Sequence, residues 1–347
     1  MFSDVIQAAL ENEVAGQPRA VQGVVRGVTR AISGLVPREG PHCAYLFLGP
    51  TGTGKTHLVR ALAKFLHGDE NRMVVADCTH FASGDPWTAF VLQMTPLFVR
   101  PRIEDKWSVL DTAPLSIILI DYLERGRPEV SKALAAAMET GRIALPEGRQ
   151  GSLRNCLIFI TSSLCSREIL DETAGIGFAG GLEEEEDDGV REKLFKTCYH
   201  EAQDHFGTEL LARLDSLIIF HRLQEEHLSE ILDRLVLRLN QNTLRRGFQV
   251  DLTPDACRFL LERGRRNLRM GSRDLVRAYR RFVEFPVGDL LVSGRIPAGG
   301  RLHVDHRKGM EHLHFHVRRL RGDDPGPDPS MERHDVPVQW EAPAPVH

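Results

Sequence analysis

Leu46-Phe47-Leu48-Gly49-Pro50-Thr51-Gly52-Thr53-Gly54-Lys55-Thr56 decides the fold. Its last eight residues fit G-x-x-x-x-G-K-S/T, the phosphate-binding P-loop. The apolar run Ala44–Leu48 reads as a buried strand, and Thr56–Leu66 reads as the helix after the loop. A chance match in a glycine-rich turn would lack that strand and helix. Glycines let backbone N–H groups curl around phosphates, and a helix N-terminus adds partial positive charge. Lys55 is then placed for the β- and γ-phosphates of ATP, and Thr56 for Mg²⁺.

Outward from the loop, further strands are expected at Met73–Ala76, Ser116–Ile120, Leu157–Ile160 and Leu217–Phe220. Helical stretches lie between them, including Pro128–Thr140 and Arg191–His205, and residues 1–38 also read as helical. Strands alternating with helices imply an α/β fold with a central parallel sheet covered on both faces. After Phe220 the pattern turns helical, over Gln224–Thr243, Thr253–Arg263 and Ser272–Leu291. Arg301–Val304 and His312–Val317 then alternate around Gly309, which suits a hairpin. The expected domains are a P-loop domain at 1–222, a small mostly helical lid at 223–318 and a disordered tail at 319–347.

The net charge of −4 argues against a protein that coats nucleic acid, although arginines gather between Arg263 and Arg281. The six cysteines form no CxxC pair and read as buried thiols in a reducing compartment. The opening residues do not read as a signal peptide, and no apolar run approaches the roughly 20 residues needed to cross a bilayer. A cytoplasmic protein without a membrane partner is expected. Gly175–Gly189, with its run Glu183–Asp188, reads as an exposed acidic loop. His312, His314 and His316 share a strand face, read as polar surface rather than as a metal site.

A P-loop ATPase needs a carboxylate at a strand end to hold Mg²⁺. Ile117-Ile118-Leu119-Ile120-Asp121 supplies Asp121. The residue after it is Tyr122, and a phenol is a poor general base at neutral pH. Glu124 is the nearest carboxylate. It would act as base only if the backbone were altered after Asp121; otherwise it makes a structural ion pair.

Further strings resemble the Clp-type AAA+ unfoldases, in their second ATPase ring. Val14-Ala15-Gly16-Gln17 resembles the segment that lines the adenine pocket there. Asp121-Tyr122-Leu123-Glu124-Arg125 resembles D-E-I-E-K, and Thr140-Gly141-Arg142-Ile143 echoes D-G-R-L. Leu153-Arg154-Asn155-Cys156 resembles F-R-N-T, and Thr161-Ser162-Ser163-Leu164 stands for T-S-N-L. Leu211-Ala212-Arg213-Leu214-Asp215 resembles L-N-R-I-D, and Met270-Gly271-Ser272-Arg273-Asp274-Leu275 resembles Y-G-A-R-P-L. The resemblance runs from about Val5 to Val317. It implies ATP and Mg²⁺ as cofactors, a ring of identical subunits, hexameric in the family, and a protein client. It also implies that Arg213 is an arginine finger acting on the neighbouring subunit's nucleotide. Arg273 becomes the second nucleotide sensor. Read without the resemblance, Arg213 is a surface salt bridge and Arg273 one basic residue among many.

The departures fall on one water molecule. Tyr122 stands where the family has its catalytic Glu, and Ser163 where it has the sensor Asn. Binding groups are retained while water-positioning groups are changed, which lowers rate more than affinity. In the register of the family's pore loop stand Leu97 and Phe98, which either push on a peptide or pack into the core. Ile176-Gly177-Phe178 resembles the tripeptide that docks into a ClpP-type peptidase, or else tethers its own loop. Three readings are open: a protein-remodelling ATPase with slow or conditional hydrolysis, an ATP-gated scaffold without turnover, and a DNA-transaction AAA+ protein.

Overall fold

Cys43–Leu48 (β1) buries every residue, as a strand covered on both faces must. Its alternate residues enter two different cores. Ala44, Leu46 and Leu48 point to one, and Cys43, Tyr45 and Phe47 to the other. Ile118 and Ile120 join the first set, and Ile117 and Leu119 the second, so the period of two governs the whole sheet.

The computed structural model describes residues 2–34, 39–80, 86–99, 115–145, 150–176, 184–265, 271–296 and 300–319. These divide into two compact units, up to Arg222 and from Leu223. The first opens with α1 (Phe2–Glu11) and α2 (Pro18–Ser33), then β1, α3 (Lys55–His67), β2 (Val74–Asp77) and α4 (Pro86–Val99). Next come β3 (Ser116–Asp121), α5 (Pro128–Thr140), β4 (Arg142–Ala144), β5 (Gln150–Ser152) and β6 (Cys156–Ser162). α6 (Ser166–Ile176), α7 (Glu184–Phe206), α8 (Thr208–Leu211) and β7 (Ser216–Ile219) complete it. The main sheet runs β2-β3-β6-β1-β7 with every pairing parallel. The C-terminal ends of β1, β3 and β6 therefore lie along one edge, where open α/β sheets place their sites.

Helices α1, α2 and α3 cover one face through Ile6, Leu10, Val21, Val24, Val28, Leu58 and Leu62. Phe90, Val130, Leu134, Leu194 and Cys198 cover the other, from α4, α5 and α7. The N-terminal segment is two helices rather than one. Gly16 takes φ +68°, and Pro18 at the first position of α2 has no N–H to continue a preceding helix. α2 lies close on β1: a Cβ on Gly27 would fall 2.0 Å from the Tyr45 hydroxyl.

The acidic run departs from the expected loop. α6 continues to Ile176, and Glu184–Asp188 belong to the first turns of α7. Residues 177–183, including Gly177 and Phe178, lie outside the described residues, as does the tail beyond 319.

The second unit holds α9 (Glu225–Leu244), β8 (Gln249–Leu252), α10 (Pro254–Gly264) and α11 (Ser272–Tyr279). A π-helical turn, Arg280–Glu284, joins α11 to α12 (Phe285–Val292). β9 (Gly300–Asp305) and β10 (His314–Arg319) form the expected hairpin, with Gly309 at φ +90° between them. A third strand joins it, because β8 pairs parallel with β9. Gln249–Leu252 carries two apolar residues only, so its strand character comes from its partners. Asn240 on α9 clamps it, exchanging two 2.8 Å hydrogen bonds with the Val250 backbone. In β10, Phe315 and Val317 face the core with Leu313 before them, leaving His314 and His316 on the other side. His312 precedes the strand. Among the described residues no group of three His, Cys, Asp or Glu side chains could hold a metal, and no helix is long and apolar enough to cross a membrane.

Candidate active site at the strand ends

Residues Gly49–Gly54 connect β1 to α3 with φ +138° at Gly49, +78° at Gly52 and +105° at Gly54. Side-chain-bearing residues rarely adopt such angles. Gly49 has a second reason: a Cβ there would meet the Phe220 carbonyl at 2.4 Å. Thr53 is buried and donates its hydroxyl to the Pro50 carbonyl at 2.9 Å, closing the loop on itself. Lys55 folds back over the loop, its Nζ 2.5 Å from the Gly49 carbonyl and 2.8 Å from that of Pro50. Its ammonium thus stands at the N-terminus of a 13-residue helix, where an anion would be held.

Thr56 Oγ1 lies 3.4 Å from Asp121 Oδ1, across from the end of β3. Thr161, in β6, donates its hydroxyl to that same Asp121 oxygen. It also accepts the Tyr122 N–H at 3.3 Å, so one side chain holds both residues. Thr56 and Asp121 offer hard oxygen donors of the type Mg²⁺ takes. Sequence reading gave no role to Thr161. The available signal was a polar residue directly after the apolar run Leu157–Ile160.

Tyr122 adopts the left-handed conformation, φ +57° and ψ +48°, rare for a bulky side chain. It starts a 3₁₀ turn over Leu123–Arg125, and the Arg125 guanidinium sits 5.1 Å from the Tyr122 ring centre. The turn brings Glu124 to the end of β6. There Glu124 Oε1 accepts both the Ser163 N–H at 3.0 Å and the Ser163 hydroxyl at 2.5 Å. The alternative expected for Glu124, a structural ion pair, is not among its described contacts; its carboxylate meets hydroxyl and amide donors instead. Cys78 lies beside these carboxylates. Burial, then the negative charges of Asp77, Glu124 and Asp121, push its thiol up to about 12. It therefore stays a thiol and is no nucleophile.

On the other flank of the loop, Val14 and Ala15 are buried, and Val14 Cγ1 would lie 3.6 Å from a Cβ on Gly54. Three anchors fix this segment. The His57 ring meets the Glu13 carbonyl at 3.0 Å, and Lys64 pairs with the Glu13 carboxylate at 2.6 Å. Gln17, almost fully buried, bonds the His221 backbone twice. Burial, with Arg191 and Arg19 nearby, lowers the His221 imidazole below its ordinary value.

The remaining expected residues stand elsewhere. Arg213 comes just after α8, and its guanidinium pairs with Glu139 of α5 at 2.5 Å, with both side chains partly exposed. Arg273 is the second residue of α11, in the other unit. Leu97 and Phe98 belong to the last turn of α4, and their side chains lie outside the described residues.

Comparison with known proteins bears on the fold and the family. Residues 41–217 match the AAA domain (Cdc48 subfamily), and residues 223–304 match the C-terminal, D2-small domain of ClpB protein. The ATP-dependent Clp protease ATP-binding subunit ClpC of Staphylococcus saprophyticus is 30% identical over 304 residues, which cover 87% of this chain and 36% of that protein. ClpC of Staphylococcus aureus strain USA300 gives the same figures. The chain thus spans about a third of the length of these relatives. The structure of the Saccharomyces cerevisiae Hsp104–ADP complex superposes with a TM-score of 0.71 at 23% identity, covering 89% of this chain and 51% of that one. That likeness carries the fold. The chain belongs to the Clp-type AAA+ ATPases and resembles their second ATPase module.

Proposed function

We propose that the chain binds ATP·Mg²⁺ at Gly49–Thr56 and couples its slow or conditional hydrolysis to remodelling of a protein partner. The observation that carries this reading is the Thr56–Asp121 pair at 3.4 Å beside Lys55 on a glycine-built loop. Lys55 and the loop N–H groups would bind the phosphates, while Val14 and Ala15 would flank the adenine. Thr56 and Asp121 would hold Mg²⁺, which neutralises charge on the phosphates when bound. Arg213 would act as a finger on a neighbouring copy and Arg273 as the second sensor, in a hexameric ring. A peptidase of ClpP type would dock through Ile176-Gly177-Phe178.

Steady-state ATP turnover of the chain, at concentrations where a ring assembles, tests this beside Lys55→Ala and Arg213→Ala. Turnover lost in both variants is the expected result. Tight ATP binding with no turnover above the Lys55→Ala level sinks the motor and leaves an ATP-gated scaffold. That second reading is favoured by one observation, the presence of Tyr122 and Ser163 at the two water-positioning places.

A further inference from the structure

We propose that Glu124, positioned by Ser163, is the general base for the attacking water, in place of the carboxylate that Tyr122 has displaced. The inference rests on the ATPase reading above and names the group that makes turnover possible.

Three observations support it. The first is backbone geometry. In a strand that ran on past Asp121, a carboxylate three residues later would leave the site. Tyr122 is instead left-handed, and the turn it starts returns Glu124 to the end of the neighbouring strand β6. Strain at a bulky residue persists only where its surroundings hold it, here through the Thr161 hydroxyl that accepts the Tyr122 N–H.

The second is the division of labour within the carboxylate. Both donors of Ser163 go to Oε1. Oε2 is removed from solvent and has no hydrogen-bond partner among the described residues. A buried carboxylate oxygen without a donor is costly, and a bound water would satisfy it. The exchange of Asn for Ser at 163 then has a purpose. A hydroxyl plus a backbone N–H fixes the carboxylate through Oε1 and leaves Oε2 for another donor.

The third is convergence. Asp121 and Glu124 both act on the Cys78 thiol, together with Asp77, which pairs with Asp121 across β2 and β3. The carboxylate proposed for Mg²⁺ and the proposed base thus both help to push up one buried thiol.

The step balances without a redox partner. Water oxygen forms a bond to the γ-phosphorus, and the bond from that phosphorus to the β,γ-bridging oxygen breaks. The electron pair stays on ADP. Glu124 Oε2 takes the water proton and returns it to solvent after phosphate leaves.

The test uses the full chain with ATP and Mg²⁺, comparing wild type, Glu124→Gln, Tyr122→Glu and the double variant. Binding of a fluorescent ATP analogue is measured for each. Glu124→Gln is expected to lower kcat by at least about 100-fold, with ATP affinity held within about threefold. The glutamine can still accept from Ser163, so folding is preserved. Tyr122→Glu in that background is expected to restore turnover, because it returns a carboxylate to the position after Asp121. A purely structural Glu124 would not be rescued in this way. Unchanged kcat in Glu124→Gln overturns the inference, as does a double variant that stays inactive while Tyr122→Glu alone is active. A wild type that binds ATP without turnover also overturns it and spares the binding reading. Absence of ATP binding removes both.

Discussion

Gln17 and His221, more than 200 residues apart in sequence, exchange two hydrogen bonds. The Gln17 amide donates to the His221 carbonyl at 2.8 Å, and its carbonyl accepts the His221 N–H at 3.2 Å. The pair ties the segment beside the P-loop to the chain leaving β7. Gln17→Leu strands both backbone groups, at a cost of about 1–3 kcal/mol for a buried unsatisfied group. Denaturant unfolding should show the loss as a lower midpoint with an unchanged slope. Nucleotide affinity should fall as well, because Val14 and Ala15 lose their anchor.

Asp121 receives the Thr161 hydroxyl and faces Thr56 through one oxygen. Asp121→Asn keeps the shape and removes the charge that the proposed Mg²⁺ site requires. ATP should bind this variant at least about tenfold more weakly than wild type, a difference of about 1.4 kcal/mol. Chelating Mg²⁺ with EDTA should bring wild type down to the variant's level and leave the variant nearly unmoved. Titration with a fluorescent nucleotide reads both. An Asp121→Asn protein that still gains affinity from Mg²⁺ would place the ion elsewhere.

His221 gives the fold a pH dependence with a defined sign. Burial and two arginines lower its folded-state pKa below 6.5, so the unfolded chain binds the proton more readily. Stability from this group is complete above about pH 6.5 and is lost as pH falls through the folded value. His221→Gln keeps the backbone bonds to Gln17 and removes the titration. Between pH values of about 7.5 and 5.5 wild type should lose more stability than the variant. An equal loss in both would exonerate His221.

Thr253 joins two elements of the second unit. Its hydroxyl oxygen accepts the Ala256 N–H at 3.2 Å as the cap of α10 and donates to Asp305 of β9 at 2.6 Å. Thr253→Ala should cost about 1 kcal/mol, typical of a lost cap. Thr253→Ser should recover most of it. Thermal unfolding of the three proteins gives the order.

The sheet was legible because its strands are short apolar runs bounded by chemistry-bearing residues. Ile117–Ile120 announces both a buried strand and, at its C-terminal end, the place of Asp121. β8 was not legible: Gln249-Val250-Asp251-Leu252 takes its register from β9 and Asn240, neither of them near in sequence. The hairpin of β4 and β5 was hidden in the same way, its three-residue strands defined by each other. At the site, motif spacing located Gly49–Thr56 and Asp121. It named Glu124 as the nearest carboxylate but left its role open, because the deciding quantity is the sign of one φ angle at Tyr122. Thr161 escaped for a related reason, since its two bonds cross from β6 to the end of β3.

The strand ends carry one more implication. Tyr122, Glu124 and Ser163 all lie past the last residues of β3 and β6. None of them belongs to either core of the sheet. On the proposed ATPase reading, the rate of turnover and the firmness of the fold are thus written in separate residues. On that reading, substitution at 122, 124 or 163 changes the interval between hydrolysis events while the sheet beneath goes unaltered. Such a chain has an adjustable tempo on a fixed chassis.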